Sequence, residues 1–328
     1  MAKKPKILVV GSLVKDLTVI TEKFPKPGET VLGKSFRTAS GGKGANQAVQ
    51  AARLGADVTV VGKVGNDDFG KSLVASCRES GIHTEHIAVD LKAPSAVGNV
   101  ILETGNGKTA NRIIVIPGAN MAITPEDVAF LKNAIQDYDM VILQLEIPMK
   151  INELVAEWAF QSHVPVMLNP APSAPLSPGL LSHLSYLSPN EHEAADLTGI
   201  AIRREGKTAD LEDVKAAGNF LLAKGAENIV ITLGSAGAAA ISRSGFFFQP
   251  CIDIVEPKDP TAAGDSFVGA FSLGVCTGMG LAEALHFASY AATITVSRAG
   301  AQPSLPTLGE VEALMKSQGS TCDGFMTR

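Results

Sequence analysis

Three clusters in this chain combine residue types and spacing that could do chemistry. The densest is Asp259-Pro260-Thr261-Ala262-Ala263-Gly264-Asp265-Ser266-Phe267. Small and apolar residues follow, Val268 to Met279, and predict a buried helix. Small residues therefore stand where the helix begins, and backbone N–H groups there can approach an anion unobstructed. Asp265 falls in the first helical turn, beside the place where that anion would rest. A bound negative charge repels a carboxylate, so the pairing needs a reason. Taking the proton from an attacking hydroxyl is one, because a base is needed where the transferred group sits. The structural alternative is an acidic first turn that favours the helix dipole.

The second cluster is Gly41-Gly42-Lys43-Gly44-Ala45-Asn46-Gln47-Ala48, ahead of a helix over Val49 to Leu54. Its glycines let backbone and ligand come close, while Lys43 and Asn46 offer donors to hydroxyls or phosphate. A tight turn before a helix explains the glycines equally well. The third cluster is Pro189-Asn190-Glu191-His192-Glu193. Asn190 and Glu193 stand three apart at a helix start, so both can face one site, or they form a capping box. His192 between them faces solvent.

Two literal phosphate-loop strings compete with these clusters and fail. Gly28 to Ser35 precedes no helical pattern. Gly65 to Ser72 lies between a strand (Val58 to Val64) and a helix (Leu73 to Ser80), which is the right context. However, Asp67, Asp68 and Phe69 would put two negative charges and a ring into a cradle that works through bare backbone N–H groups. Asn66, Asp67 and Asp68 are better suited to capping the following helix.

The elements that must position these clusters follow an α/β pattern. Ile7 to Val10 is a short apolar run ending in Gly11-Ser12, as in a buried parallel strand, with Asp16 on the loop beyond it. From Thr124 onward strands and helices alternate: a helix over Pro125 to Gln136, then strands over Met140 to Gln144, Val164 to Leu168 and Ile229 to Thr232. Polar or glycine-rich residues recur at the strand ends, the ligand edge of an open parallel sheet. Two stretches break the pattern. Residues 18–39 and 95–116 carry short β-prone pieces, the latter with a hairpin signature at Thr104-Gly-Asn-Gly-Lys108. They predict one small sheet acting as a lid on a main domain of residues 1–17, 40–94 and 117–318, with a frayed tail at 319–328. The lid's outer face can pair with a second copy, predicting a homodimer.

Composition sets the remaining bounds. A chain of 328 residues that is 45% hydrophobic and 19% charged can bury a large core. A formal net charge of −5 argues against nucleic acid or an anionic membrane as main partner. Cys77, Cys251, Cys276 and Cys322 lie far apart without zinc-type spacing, and predict thiols in a reducing compartment. The five-residue apolar run after the basic N-terminus is too short for a signal peptide, and no apolar stretch reaches membrane-spanning length. A cytosolic protein is the expectation.

The Asp259–Phe267 stretch resembles the C-terminal signature of the pfkB-type carbohydrate kinases, D-T-x-[GA]-A-G-D-x-F, with Pro260 for the common Thr and Ala262 for the commoner Gly. Gly-Gly-Lys-Gly-Ala-Asn at 41–46 resembles the sugar-binding signature of the ribokinase branch. Gln144-Leu-Glu146, Asn169-Pro-Ala-Pro172 and Thr232-Leu-Gly-Ser-Ala-Gly237 follow in family order, so the likeness spans Gly11 to about Pro306. The resemblance implies ATP-dependent phosphorylation of the O5 hydroxyl of D-ribose, with Asp265 as base and Ala262, Ala263 and Gly264 as the anion hole. Asp16, Gly42, Lys43, Gly44, Asn46 and Glu146 would hold the pentose. Asn190, Thr232, Gly234, Gly237, Gly264 and Ser289 would contact the nucleotide, with Glu193 and Asn190 supporting the hydration shell of Mg²⁺. The resemblance also implies a K⁺ ion between the side chains of Asp259 and Ser304 and the carbonyls of Thr261, Thr295, Arg298 and Gly300. Val14 stands where many members carry Asn, which removes one sugar hydrogen bond and keeps 2-deoxyribose open as the substrate. A non-catalytic sugar or nucleotide sensor on the same fold is the other alternative.

Overall fold

Apolar runs too short for helices become the strands of one large sheet, and longer amphipathic runs cover its two faces. The computed structural model describes residues 4–104 and 110–320. The chain enters through β1 (Lys6–Val10), then leaves the main sheet for β2 (Val14–Thr21) and β3 (Gly33–Gly41). It returns through α1 (Lys43–Arg53), β4 (Asp57–Gly65), α2 (Asp68–Glu79) and β5 (His83–Asp90). A second excursion, β6 (Ala96–Glu103) and β7 (Ala110–Ile116), completes a small sheet. Two short helices follow, α3 (Pro125–Val128) and α4 (Leu131–Ala134), and then β8 (Met140–Gln144) and α5 (Met149–Gln161). Next come β9 (Val166–Asn169), α6 (Pro178–Ser182), β10 (Tyr186–Leu187) and α7 (Glu191–Thr198). A two-residue pair, β11 (Arg204–Glu205) and β12 (Thr208–Ala209), precedes α8 (Leu211–Ala223) and β13 (Asn228–Thr232). The hairpin of β14 (Gly237–Ser242) and β15 (Gly245–Pro250) leads into α9 (Ala263–Cys276), α10 (Leu281–Val296) and α11 (Leu308–Ser317).

The main sheet has nine strands in the order β15-β14-β13-β10-β9-β8-β1-β4-β5. It is parallel from β13 to β5, and β14 and β15 add an antiparallel edge. Successive strand residues point to opposite faces, so one strand feeds two cores. Ile7 and Val9 of β1 pack under α1, α2, α9, α10 and α11, whereas Leu8 and Val10 pack under α3 to α8. This is the expected α/β architecture, a mainly parallel sheet sandwiched by helices, with a small sheet beside it. The small sheet has the order β3-β2-β6-β7; its outer pairs are antiparallel and β2 runs parallel to β6.

Four local expectations change. Asp16 lies on β2 rather than on a loop, because Val14–Thr21 pairs with β3 on one side and β6 on the other. The glycine-rich run is not a loop: α1 starts at Lys43, despite the roughly 1 kcal/mol that Gly44 costs a helix. Gly44 is kept for contact, since a Cβ there would stand 2.5 Å from the Ser12 nitrogen. Helix α9 begins at Ala263 and ends at Cys276, earlier at both ends than the apolar run suggested. The stretch Pro125 to Gln136 is not one α-helix, because several of its bonds are of the i→i+3 kind, including Ala129 N to Glu126 O and Lys132 N to Ala129 O. The hairpin turn expected at 104–108 involves residues 105–109, outside the described residues, as is the expected tail from 321.

The rejected phosphate-loop string has its own explanation. Asp67 caps α2 by accepting from the Gly70 amide at 2.8 Å, and its other oxygen accepts from the Ser95 amide at 2.8 Å. A carboxylate occupies the cradle, and it ties α2 to the start of β6. The other string, Gly28 to Ser35, runs into β3 and opens no helix.

Candidate functional site

A cavity of about 630 Å³ lies between the small sheet and the C-terminal edge of the main sheet. Its polar lining includes Asp16, Lys43, Asn46, Glu146, Asp259 and Asp265. The sequence clusters at 41–48 and 259–267 thus meet with Asp16 and Glu146 in one place. Val14 and Gly42 also line it, as do Arg37 and Lys258, which had not been singled out.

Asp265 sits in the first turn of α9 and is 7% exposed. Two side-chain amides hold it: Asn46 Nδ2 donates to Oδ2 at 2.9 Å and Gln47 Nε2 donates to Oδ1 at 3.0 Å. Burial pushes its pKa up, and the Lys43 ammonium and the two amides work against that rise. Ahead of it, Ala262 is the N-cap in the left-handed region at φ 61°, where a non-glycine residue costs roughly 1–2 kcal/mol. Of the proposed anion-hole amides, that of Ala263 donates to Pro260 O at 3.2 Å. Among the described residues no acceptor meets the Gly264 and Asp265 amides, which leaves two donors at a helix N-terminus.

Asp16 and Glu146 are the acceptors opposite. The Asp16 carboxylate has room because the residues beside its two oxygens, Gly41 of β3 and Gly98 of β6, carry no side chain. A Cβ at Gly41 would stand 2.4 Å from Asp16 Oδ2, and one at Gly98 2.5 Å from Oδ1. Burial first, then the charges of Glu146 and Asp265, raise the Asp16 pKa to about 6. Glu146 Oε2 accepts from the Ser12 hydroxyl and from the Lys43 amide, the latter at 3.0 Å. Gly42, at φ 92°, lets the chain turn into α1 there, and a Cβ would stand 2.7 Å from Val14 N. Lys43 is half-buried, which would lower its pKa, yet the charges of Asp265, Glu146 and Glu193 together outweigh that and hold it up. Asn46 Oδ1 is buried with no partner among the described residues, a vacant acceptor beside the Asp265 carboxylate.

The residues assigned to a nucleotide gather one step along the sheet. Asn190 and Thr232 follow β10 and end β13, neighbouring strands, and form a bridge to each other. Asn190 caps α7 and Glu193 returns a bond to the Asn190 amide at 2.8 Å, so the capping box is real. Gly234 and Gly237 form the turn after β13, each with positive φ. Ser289 is not brought to the cavity: it is buried on α10 and its hydroxyl donates to Leu285 O of its own helix.

The segments expected to enclose a cation also meet. Asp259 accepts from Thr261 N at 3.0 Å, from the Thr261 hydroxyl, and from Gly300 N at 2.9 Å. These hydrogen bonds hold its carboxyl below the usual range against burial. Ser304 is fully buried and donates to Ala301 O, which leaves its oxygen able to accept. Arg298 turns its guanidinium to Glu310.

Sequence reasoning quoted Gln47, Gln144 and Asn169 within motifs but gave these amides behind Asp265 no role of their own. Gln47, Gln144 and Asn169 are linked in one chain, with Gln144 Nε2 donating to Gln47 Oε1 at 2.7 Å and Gln47 Nε2 to Asn169 Oδ1 at 3.2 Å. The usable signal was a polar residue closing an otherwise apolar strand, as Gln144 closes β8 and Asn169 closes β9. Among the described residues no helix is long and apolar enough to cross a membrane, and no group of three or more His, Cys, Asp and Glu side chains could hold a metal ion.

Known proteins resemble this chain in sequence and in fold. Residues 4–308 match the pfkB family of carbohydrate kinases. The chain is 39% identical to a ribokinase of Bacillus subtilis over 309 residues, covering 94% of this chain and 99% of the relative. It is 38% identical to a ribokinase of Schizosaccharomyces pombe over 323 residues, covering 96% and 99%. Among solved structures, Arabidopsis thaliana ribokinase complexed with ribose and ATP superposes with a TM-score of 0.86 at 33% identity, covering 96% of this chain and 99% of that one.

Proposed function

The chain belongs to the pfkB family of carbohydrate kinases and is a phosphotransferase, and from that premise we propose that it transfers the γ-phosphoryl group of ATP to the O5 hydroxyl of D-ribose. The observation that carries this reading is the buried Asp265 carboxylate, placed at the N-terminus of α9 inside a cavity whose other carboxylates are Asp16, Glu146 and Asp259. Asp16 and Glu146 accept sugar hydroxyls, and the vacant Asn46 Oδ1 accepts another. O5 attacks phosphorus as its proton passes to Asp265, the new O5–P bond forms, and the bond to the ADP oxygen breaks. Charge that develops on the transferred group meets the amides of Gly264 and its neighbours. The adenine nucleotide lies over Asn190, Thr232, Gly234 and Gly237, one strand pair along the sheet edge.

Mg²⁺ fits here as the companion of the ATP phosphates. No carboxylate cluster among the described residues could hold it alone, and an ion that keeps its waters needs only an outer contact such as Glu193. The oxygens that would hold K⁺, those of the Asp259 carboxylate, the buried Ser304 hydroxyl and the carbonyls of Thr261, Thr295, Arg298 and Gly300, are all hard donors of the kind that ion takes. A cation there would brace the segment leading into α9. Turnover in K⁺ should therefore exceed that in choline at equal ionic strength, and equal rates in K⁺, Na⁺ and choline would remove the ion from this account.

A panel of ribose, 2-deoxyribose, fructose and adenosine with ATP and Mg²⁺ tests the substrate. Ribose should be the best of the four, and a panel in which only a hexose or nucleoside reacts would overturn the pentose reading. Val14 is 5% exposed and lines the cavity beside Asp16, so it adds shape without a hydrogen bond. Val14→Asn should lower the ribose KM by a factor of up to about 5, from one added hydrogen bond of about 1 kcal/mol. If 2-deoxyribose is preferred instead, the same change should move preference toward ribose.

We also propose that the small sheet pairs with a second copy and that the enzyme acts in the cytoplasm. Ile113 and Val115 of β7 line the cavity, so by strand alternation Ile114 and Ile116 point outward, and both are exposed together with Phe36 of β3. That apolar face, on strands at the sheet edge, needs covering. Sedimentation should give a dimer at micromolar concentration, and a monomer there argues against the pairing.

A further inference from the structure

The carboxylate of Asp265 is held by a chain of amides whose direction can be worked out from its Ser188 end. At one end the Ser188 carbonyl can only accept, so Asn169 must turn its NH₂ toward it, and Nδ2 lies 2.9 Å from Ser188 O. Asn169 Oδ1 therefore faces Gln47, which must present its own NH₂. The second hydrogen on Gln47 Nε2 then goes to Asp265 Oδ1. At the other end, Gln47 Oε1 is left to accept, and Gln144 Nε2 supplies the donor at 2.7 Å. Gln144 has little freedom to turn: its Oε1 lies so close to Gly11 that a Cβ there would be 2.0 Å away. Gln47 and Gln144 are both fully buried, and neither lines the sugar cavity.

We infer that Gln47, fixed by Gln144 and Asn169, is a positioning residue that keeps the Asp265 carboxylate ionised and oriented for proton abstraction. Gln47, whose NH₂ direction the chain sets, presents Asp265 Oδ1 with a donor and no acceptor, and Asn46 Nδ2 donates to Oδ2. The network is therefore complementary to the charged form of the base and mismatched to the neutral form. The charged groups facing Asp265 divide around it. Lys43 of α1 supports its ionisation, Glu146 after β8 opposes it, and Asp16 of β2 and Glu193 of α7 each feel its charge. Burial raises the Asp265 pKa most, and Lys43 and then the two amides oppose that rise, so losing an amide leaves the base harder to ionise.

This inference rests on Asp265 acting as the base, and the test separates the two ideas. Gln47→Met keeps the bulk and removes all three side-chain hydrogen bonds, and the intact enzyme is assayed with saturating ribose and ATP-Mg²⁺ across pH 5 to 9 beside wild type. Losing a donor to the ionised carboxylate raises its pKa, so the acid limb of kcat should move upward by about one pH unit while the ribose KM changes less than twofold. A folded variant that loses turnover equally at every pH, with the acid limb in place, would show a merely structural role and overturn the inference. Should Gln47→Met not fold, Gln144→Met removes the anchor without touching Asp265. It should shift the acid limb in the same direction by less, and an unmoved limb in that folded variant overturns the proposal as well. Asp265→Asn run in parallel reports on the base itself: if it keeps normal turnover, the base reading fails, whatever the glutamine variants do.

Discussion

Asp265→Asn is expected to lower turnover by about 10²–10⁴-fold, the usual contribution of a general base, while ribose and ATP still bind. The hydroxyl of a sugar is a poor nucleophile at neutral pH, and the phosphoryl group adds charge as it moves. The base must therefore sit beside the anion-binding amides, and Asp265 is the carboxylate in the first turn of α9. Asn keeps the shape and removes the negative charge. It also changes the hydrogen bonds, because Asn46 and Gln47 both donate toward position 265 and an amide oxygen can receive them on one side only. The remaining donor then faces an NH₂, a mismatch of about 1–3 kcal/mol that should appear as a lower Tm. Single-turnover rates and calorimetric binding check the split. Near-normal turnover would disprove the assignment, and joint loss of turnover and sugar binding would make Asp265 a ligand clamp as much as a base.

Asp16→Asn should act on binding first. A carboxylate accepting sugar hydroxyls contributes about 1.5–3 kcal/mol per bond, so the ribose KM should rise by roughly 10–100-fold with a much smaller change in kcat. The same side chain gives a pH dependence. Its pKa stands at about 6 in the ligand-free protein, mainly from burial. Sugar binding favours the ionised form, so wild-type affinity should fall as pH falls through about 6, and Asp16→Asn should not show that fall. Stability moves the other way. An Asp whose folded pKa is raised above its unfolded value destabilises the fold fully above about pH 6, and the penalty fades as pH drops toward 4. Ligand-free Asp16→Asn should therefore melt higher than wild type at pH 8, with the gap narrowing at pH 5. A variant with unchanged ribose KM would take Asp16 out of the sugar site.

Both variants probe a seat assembled from distant parts of the chain. Asp265 meets Gln47 across 218 positions, and Lys43 meets Glu146 across 103. Each partner is local to its own turn, yet none of these pairings has a local cause. The α1 start shows the same division. Propensity places Gly42-Lys43-Gly44 in a loop, and the packing of Gly44 on the Ser12 backbone makes it helix.

The sequence by itself determined the α/β class, the sheet edge where the candidate site residues gather, and the contiguous motifs. Alternation, capping and the smallness of residues 262–264 are properties of neighbouring residues, so a linear pattern carries them. The capping box at Asn190 was legible for that reason, and so was Asp67 as a cap rather than part of a phosphate cradle. Only the tertiary structure decided that Asp16 lies on a strand, since β2 gains its partners from β3 and from β6, far along the chain. It alone decided that Gly41 and Gly98 clear a space for that carboxylate, and that Gln47, Gln144 and Asn169 close behind Asp265. The physical reason is that a buried polar atom takes whichever partner the packed core brings within 3 Å or so, and that choice depends on how distant strands and helices dock rather than on the residues beside it in sequence.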